Sequence, residues 1–513
     1  MTTVVFLAGL IVALILGLRL RYPLPANAVR RGSRRMPISG RTALGARVLA
    51  LMHHHPRRSG VHPLGDGREA LAARVRLARA AEESLDLQYY IWKADTTGWL
   101  LLDELRAAAA RGVRVRLLLD DNGVRGLDDV MSALDGLENV EVRLFNPYVL
   151  RRPRPLNYLF DFLRLNRRMH NKAMTADGAV TILGGRNIGD GYFAYGPGVH
   201  IFDFDVLAAG PAAEEAACTF DHYWASASAY PVARILKAGH PSGLDRLHAA
   251  AETARETLQG QDYVEAIRAS AVVADLWEEE PALEWTRVTL YSDDPAKGTG
   301  VLADEKLLIT TLSALLERAR HSVDVTSAYF VPGPLGSRRL RGLAERGVRT
   351  RVLTNSLEST NVVSVHSAYM GYRTALLSAG VSLYELRAHP VFPHERLMRH
   401  ALAGSTASLH AKTFVMDGER VFIGSFNFDP RSARLNTEMG FLIESPRLAG
   451  LLSRTLDLPA TTYALSQSRP GRLTWRTRDG DGNEVLWHHE PNTRLINRLR
   501  TRVLRLLPME WML

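Results

Sequence analysis

The stretch SLHAKTFVMDGERVFIGSFNFDPRSARLNTEMGFLIE, residues 408–444, decides how this chain is read. Alternating β-formers over residues 409–415 predict a strand, which sets His410 and Lys412 on one face. Asp417-Gly418 is a hairpin-turn signal, and residues 421–424 read as the returning strand. Ser425 and Asn427 complete the pattern H-x-K-x4-D-x6-G-S-x-N, and Glu438 follows on a further predicted strand.

The pattern occurs twice. Residues 169–187 read MHNKAMTADGAVTILGGRN and carry His170, Lys172, Asp177, Gly184, Gly185 and Asn187. The offset 410 − 170 = 240 holds for the Lys, Asp, Gly and Asn pairs as well. One such match is weak, but two full copies at one offset, each on a strand–turn–strand pattern, argue for a duplicated site over two similar surface hairpins. The surroundings repeat too. Residues 322–329 match 84–91, with Ser-x-Asp in both, and RGVR at 346–349 matches RGVR at 111–114. Residues 381–386 take the place of 140–145. Leu71, Val75 and Ala78 keep helical spacing before the first of these strands, and Leu101, Leu105 and Ala108 before the second. Strands alternating with helices imply an α/β fold in two copies.

The duplicated motif resembles the HKD signature of the phospholipase D superfamily. Flanking phrases are similar to those of bacterial cardiolipin synthases of the C type: LDLQYYIW at 85–92, RGVRVRLLLDDN at 111–122, GGRNIGDGYF at 184–193, SDDPAKG at 292–298 and GSFNFDPRS at 424–432. The resemblance runs from about residue 68 to the C-terminus. It implies two mixed-sheet lobes packed about a pseudo-twofold axis.

Residues 68–230 and 286–470 are read as the two lobes, joined by a helical connector at 231–285. Residues 471–513 form a C-terminal extension. Residues 2–18 are uncharged and apolar. A helix of that length is roughly 25 Å long, marginal for a hydrocarbon core of about 30 Å. Arg19, Arg21, Arg30, Arg31, Arg34 and Arg35 follow it, so residues 1–35 read as an uncleaved anchor that keeps the body on the cytoplasmic side of a bacterial inner membrane. Ala26-Asn27-Ala28 also has the shape of a signal-peptide cleavage site. Residues 36–67 read as a linker with little regular structure, and its His53, His54, His55 and His62 as a solvated polar run rather than a metal site.

The formal net charge of +10 favours an anionic partner, membrane surface or nucleic acid. No nucleic-acid module is recognised, so a membrane is expected and nucleic acid is not. Cys218 is the one cysteine, which excludes an intramolecular disulfide and a cysteine-cluster metal site. Residues 151–168 interleave six arginines with Tyr158, Phe160 and Phe162 just before His170, suiting either a lipid interface or a helix packed on the body. Near the C-terminus, Leu495, Leu499 and Val503 form an apolar helical stripe among arginines, read as docked on the core in preference to lying on a membrane.

Each copy supplies one His, one Lys and one Asn. Lys172, Lys412, Asn187 and Asn427, with Ser425, can meet the charge that attack at phosphorus spreads over the equatorial oxygens. A positive charge about 4 Å from the anion is worth roughly 4 kcal/mol at an effective dielectric near 20, so two lysines suffice without metal or cofactor. The phospholipase D resemblance implies that one histidine attacks phosphorus while the other moves the proton. We assign His170 as nucleophile and His410 as acid/base, although the motif itself is symmetric. An attacking imidazole needs an acceptor for its other nitrogen. The family's orienting carboxylates match Asp205 and Glu438, with Asp203 on the same face as Asp205 as the less favoured candidate. Asp177 and Asp417 are expected to act through turn hydrogen bonds. The resemblance implies phospholipid substrates and transfer of a phosphatidyl group, with phosphatidylethanolamine as donor and phosphatidylglycerol as acceptor. A hydrolase giving phosphatidic acid, a nuclease of the same superfamily and an inactive anion-binding scaffold remain alternatives on the residues alone.

Overall fold

The computed structural model describes residues 2–27, 33–195, 199–236, 242–257, 261, 265, 283–389, 406–469 and 472–513. Arg30 and Arg31 of the basic flank, Ala28 of the cleavage-site shape and most of the connector lie outside that set.

The two motif hairpins each sit inside a large mixed sheet. In the first, Ser84–Ile91 runs parallel to Arg114–Gly123, which runs parallel to Val140–Phe145. On its other side Ser84–Ile91 pairs antiparallel with Ala173–Ala176, then Val180–Gly184, then Asp205–Ala209. The second sheet repeats this order with Ser322–Ser327, Arg349–Asn355 and Ser382–Leu386 on one side. Lys412–Met416, Arg420–Gly424 and Met439–Glu444 lie on the other. The same six-strand order in both halves is the duplication made structural, and the fold is a doubled phospholipase D-like α/β architecture.

The two lobes share a core. Leu183, Phe202 and Val206 of the first pack with Leu409, Ile423, Met439 and Phe441 of the second in one buried apolar cluster. Full burial of each such side chain contributes roughly 1.5–3 kcal/mol, so the lobes are obligate partners rather than beads on a string. Backbone bonds cross the same seam. Thr406–Leu409 pairs parallel with Val199–Phe202, and the Thr437 N–H donates to the Arg168 carbonyl at 2.9 Å.

Several boundaries differ from those read in the sequence. Residues 36–67 are not an irregular linker. Thr42 caps a helix, Ala43–His54, that buries Leu44, Val48 and Leu51, and Ser59–Leu64 then pairs with Asp205–Ala209. The first lobe therefore begins ahead of residue 68. Among the described residues no His, Cys, Asp or Glu cluster is set to hold a metal; His62 instead faces Glu69. Residue 470 does not end the second lobe either, because Thr462–Arg469, Arg472–Arg478 and Glu484–Trp487 extend its sheet. The lobes exchange at Arg287: Glu284–Thr286 completes the first sheet and Val288–Ser292 the second.

Thr2–Arg21 is helical. The side chains of residues 2–5, 8 and 11 lie outside the described set, and among the described residues no helix is long and apolar enough to cross a membrane. The C-terminal helix Leu495–Leu504 does not dock its leucine stripe on the core. Leu495, Leu499 and Val503 are exposed, and Thr501 is the residue turned inward. The stripe follows helical period, but period says only that one face is apolar, not which way it points.

Candidate active site

His170 and His410 both lie just ahead of a motif strand, not within it. The predicted strand over 409–415 is interrupted at His410 and Ala411, whose N–H groups both donate to the Phe202 carbonyl of the other lobe, at 2.7 and 3.1 Å. His170 is held likewise, its N–H on the Thr437 carbonyl at 2.9 Å. Each motif histidine is thus fixed by the opposite lobe's backbone.

The carboxylates cross over as well. Glu438 of the second lobe lies 2.9 Å from His170 Nδ1 through Oε2 and 3.1 Å through Oε1. Asp203 of the first lobe lies 2.5 Å from His410 Nδ1 through Oδ2. Both Nε2 atoms are thereby left for chemistry. Lys172 and Lys412 fold back so that each Nζ donates to the carbonyl of its own motif histidine, His170 and His410. The edge of Tyr90 meets the His170 ring at 4.9 Å between centroids, and Tyr192 meets His410 at 5.3 Å.

The expectation that Asp205 orients a histidine is corrected. Its carboxylate accepts from Arg74 at 2.8 Å and from the Arg186 N–H at 3.1 Å, both deep in the first lobe. Strand register gives the reason. Gly424 pairs with Gly440 in the second sheet, and Gly184 with Asp205 in the first. Two residues before Gly440 and Asp205, just ahead of each strand, stand Glu438 and Asp203, which are therefore the equivalent pair. Sequence spacing hid this because Asn187 to Asp203 spans 203 − 187 = 16 residues, while Asn427 to Glu438 spans 438 − 427 = 11.

The role given to Ser425 also changes. Its hydroxyl donates to Glu438 Oε2 at 2.5 Å and accepts from the Met439 N–H at 3.0 Å, so its proton is committed to the carboxylate and not to a phosphate. The first copy has Gly185 at that place because a Cβ there would lie 2.1 Å from Asp203 Oδ1. The shorter aspartate approaches the backbone where the longer glutamate leaves room for a serine.

Asn187 accepts from the Ile91 N–H at 3.0 Å and donates to the Tyr192 hydroxyl at 3.1 Å, leaving one amide proton for a ligand. The Asn427 side-chain oxygen is buried without a hydrogen-bond partner among the described residues. Sequence reasoning missed the supports behind these groups. Asp120 accepts from Arg168 and from the Met169 N–H at 2.8 Å, fixing the chain just before His170. Asp293 accepts from the Glu438 N–H at 3.0 Å and from Lys297 at 2.8 Å, which gives the phrase at 292–298 a physical purpose.

Asp177 and Asp417 sit outside this cluster. Each has positive φ ahead of a positive-φ glycine, the conformation of a tight hairpin turn. Asp177 accepts from the Glu82, Glu83 and Ser84 N–H groups, and Asp417 from those of Arg320, His321 and Ser322. Asp177→Ala would remove a buried carboxylate from three N–H donors, of which that of Ser84 is buried, at roughly 1 kcal/mol or more each. Expected is a loss of about 2–4 kcal/mol in stability with near-normal turnover per folded molecule, measured by urea unfolding beside kcat. Asp417→Ala should cost less, because the Arg320 and His321 donors are exposed and water can replace the carboxylate there.

The electrostatics separate the two halves. Burial, then Lys172 and Lys412, hold His170 well below the ordinary imidazole range. Burial and Lys412 likewise lower His410. Burial alone would raise the Asp203 carboxyl, but His410, Lys412 and Arg186 together hold it below the carboxylate range. Glu438 goes the other way: burial outweighs Lys172 and pushes it up to about 7. Burial brings Lys412 down to about 8 and Lys172 well below its usual value. The centre thus holds two neutral imidazoles, one firmly ionised carboxylate and two lysines with lowered proton affinity.

A pH profile follows if turnover uses ionised Glu438 and charged Lys412. Rate rises as pH climbs through about 7 and Glu438 ionises, then falls as pH passes about 8 and Lys412 loses its proton. The expected kcat profile is a narrow bell between those limbs. Ser425→Ala, which removes a hydrogen bond from ionised Glu438, should shift the acid limb upward; an unmoved limb would show that Glu438 does not set it.

A centre of two carboxylate-held histidines and two lysines, contributed equally by two copies of one α/β unit, is that of the phospholipase D class. A family model described as "Cardiolipin synthase, PLD-like domain" matches residues 75–224 and 312–457, and the chain belongs to that family. Cardiolipin synthase C of Escherichia coli is 43% identical over 472 residues, covering 92% of this chain and 99% of that protein. An uncharacterised protein of Helicobacter pylori strain J99 is 32% identical, covering 91% of this chain and 92% of its own. Among solved structures, phosphatidylserine synthase of Haemophilus influenzae superposes with a TM-score of 0.55 at 12% identity. That match covers 91% of this chain and all of the solved one, and it shows the fold alone.

Proposed function

We propose that this chain is a phosphatidyltransferase that moves a phosphatidyl group from phosphatidylethanolamine to phosphatidylglycerol, forming cardiolipin. The observation that carries the reading is the crossed pair of histidine–carboxylate contacts between Lys172 and Lys412. The similarity to the Escherichia coli cardiolipin synthase over nearly the whole chain supports the substrate class.

In the first step the Nε2 lone pair of His170 attacks phosphorus. The P–O bond to ethanolamine breaks, and His410, which takes up a proton at Nε2 from water as the phosphodiester anion binds, gives that proton to the departing oxygen. In the second step the free glycerol hydroxyl of phosphatidylglycerol attacks the phosphohistidine, its proton passes to His410, and the P–N bond breaks. Lys172, Lys412, Asn187 and Asn427 face the phosphoryl oxygens. Asp203 favours His410 as the proton carrier because an ionised carboxylate stabilises an imidazolium. The arriving phosphodiester anion offsets the lysine charges and raises the proton affinity of His410 within the complex.

A membrane location agrees with two exposed apolar faces. Leu7, Leu10, Leu14 and Leu16 of Thr2–Arg21 are exposed, as are Leu159, Phe162 and Leu163 of helix Asn157–Leu165. The two helices touch, with Arg19 Nε on the Phe160 carbonyl at 2.7 Å. We place the body on the cytoplasmic side of the inner membrane, with the basic residues after the first helix facing anionic headgroups.

The test is lipid mass analysis of the purified chain given each lipid alone and both together. Cardiolipin with free ethanolamine from the mixture only, absent in His170→Ala, is the expected result. Phosphatidic acid as sole product would replace the transferase by a hydrolase, and no lipid turnover would overturn the reading.

A further inference from the structure

The helix Leu495–Leu504 turns its leucines away from the protein. Leu495, Ile496, Leu499 and Val503 are 73, 65, 54 and 55% exposed, and Leu506, Leu507 and Trp511 continue the apolar surface. The opposite side is anchored: Thr501 is fully buried, and Ser367 Oγ donates to its carbonyl at 2.7 Å. At roughly 100° per residue, the outward leucines centre about half a turn from Thr501. Arg498, Arg502 and Arg505 fall together on the flank between the two.

Those arginines line a cavity of about 550 Å3. Arg373 and Arg472 complete its basic wall, against the single carboxylate of Glu490. Oε1 of that carboxylate is engaged by Arg373 at 2.5 Å. Among the described residues Arg472, Arg498, Arg502 and Arg505 form no ion pair, and the Nε of Arg498 is buried without a hydrogen-bond partner. The four guanidinium groups of Arg472, Arg498, Arg502 and Arg505, beside an Arg373 already held by Glu385 and Glu490, make a cavity complementary to phosphate oxygens. None of the motif residues lines it, so it is distinct from the catalytic centre.

We propose that this helix is seated in the surface of an anionic bilayer. Its leucines enter the acyl boundary, and the arginine-lined cavity behind them holds the headgroup phosphate of an anionic phospholipid. Arginines on the border between an apolar face and the protein body are where phosphates lie when such a helix is in the headgroup layer. The seat is tied to the catalytic loop. The segment after the helix returns to Arg431, four residues beyond Asn427, whose N–H donates to the Leu513 carbonyl and whose Nε donates to that of Met512, both at 2.8 Å. The inference rests on the phospholipid reading above and names the surface through which the chain would meet its substrate.

Hydrogen exchange on the full chain tests it, with vesicles of phosphatidylethanolamine alone, the same with phosphatidylglycerol added, or inorganic phosphate and no vesicles. Amides of 495–507 should slow only on the phosphatidylglycerol vesicles, in wild type and in His170→Ala alike. The protection should be lost in the triple variant Arg498→Gln, Arg502→Gln, Arg505→Gln, and separately in Leu499→Glu, Val503→Glu. Both variants should retain wild-type turnover of a monomeric short-chain donor, which shows that they are folded; if the triple variant does not, Arg502→Gln alone carries the comparison. Equal protection on phosphatidylethanolamine alone, protection surviving the arginine changes, or the same protection with free phosphate would each overturn the proposal. Protection without any phosphatidyl transfer would sink the catalytic reading and leave this one standing.

Discussion

His170→Ala and His410→Ala should both stop phosphatidyl transfer, but a donor with a better leaving group should tell them apart. With phosphatidylethanolamine, loss of the attacking imidazole is expected to cost about 10^6-fold in kcat, and loss of the proton carrier about 10^2–10^4-fold. Ethanolamine must be protonated as it departs, so His410→Ala fails at the first step. A p-nitrophenyl ester of phosphatidic acid removes that need, because nitrophenolate leaves unaided. His410→Ala should then release one nitrophenolate per site in a burst and stall, since no base remains to activate the acceptor. His170→Ala should show no burst. A burst in His170→Ala and none in His410→Ala would exchange the two roles.

The second large effect separates two aspartates that stand two residues apart. Asp203→Asn should lower kcat by roughly 10^3–10^4-fold while leaving Tm nearly unchanged. The amide keeps the shape of the side chain but removes the charge that steadies His410 as it takes a proton. Asp205→Asn should do the reverse. It leaves the buried Arg74 guanidinium without its ionised partner, at a cost of about 3–5 kcal/mol, with activity per folded molecule retained. Parallel measurement of kcat and thermal unfolding checks both. Equal loss of activity in the two variants would mean that register does not assign the orienting carboxylate.

That pair also shows where the sequence stops being informative. The duplicated hairpins are local objects. Asp-Gly turns, alternating β-formers and a constant offset of 240 mark them without any knowledge of the tertiary fold. His170, Lys172, His410 and Lys412 were legible for that reason, and so was Glu438. Asp203 and Asp205 share a strand face, so period-two reasoning cannot separate them. Only the pairing of Gly184 with Asp205 and of Gly424 with Gly440 does so. Ser425 was misread for a related cause. A serine beside a phosphate motif suggests a phosphate contact, but its proton goes to Glu438, which arrives from a later strand. Residues 36–67 read as irregular because they are rich in proline, glycine, histidine and arginine. Their helix and strand are stabilised by Asp205–Ala209 and by core contacts far away in sequence. The C-terminal stripe shows the opposite error, since its period was right and its direction was not.

The two-step mechanism requires a covalent bond between phosphorus and the His170 ring. The most direct measurement is peptide mapping of His410→Ala after alkaline quench of its reaction with the nitrophenyl donor. Expected is a phosphatidyl group on the peptide that contains His170, absent when Nε2 is removed in the His170→Ala, His410→Ala double variant. Nitrophenolate released only when the acceptor is present, with no adduct on any histidine, would overturn that assignment and leave direct attack by the acceptor as the mechanism.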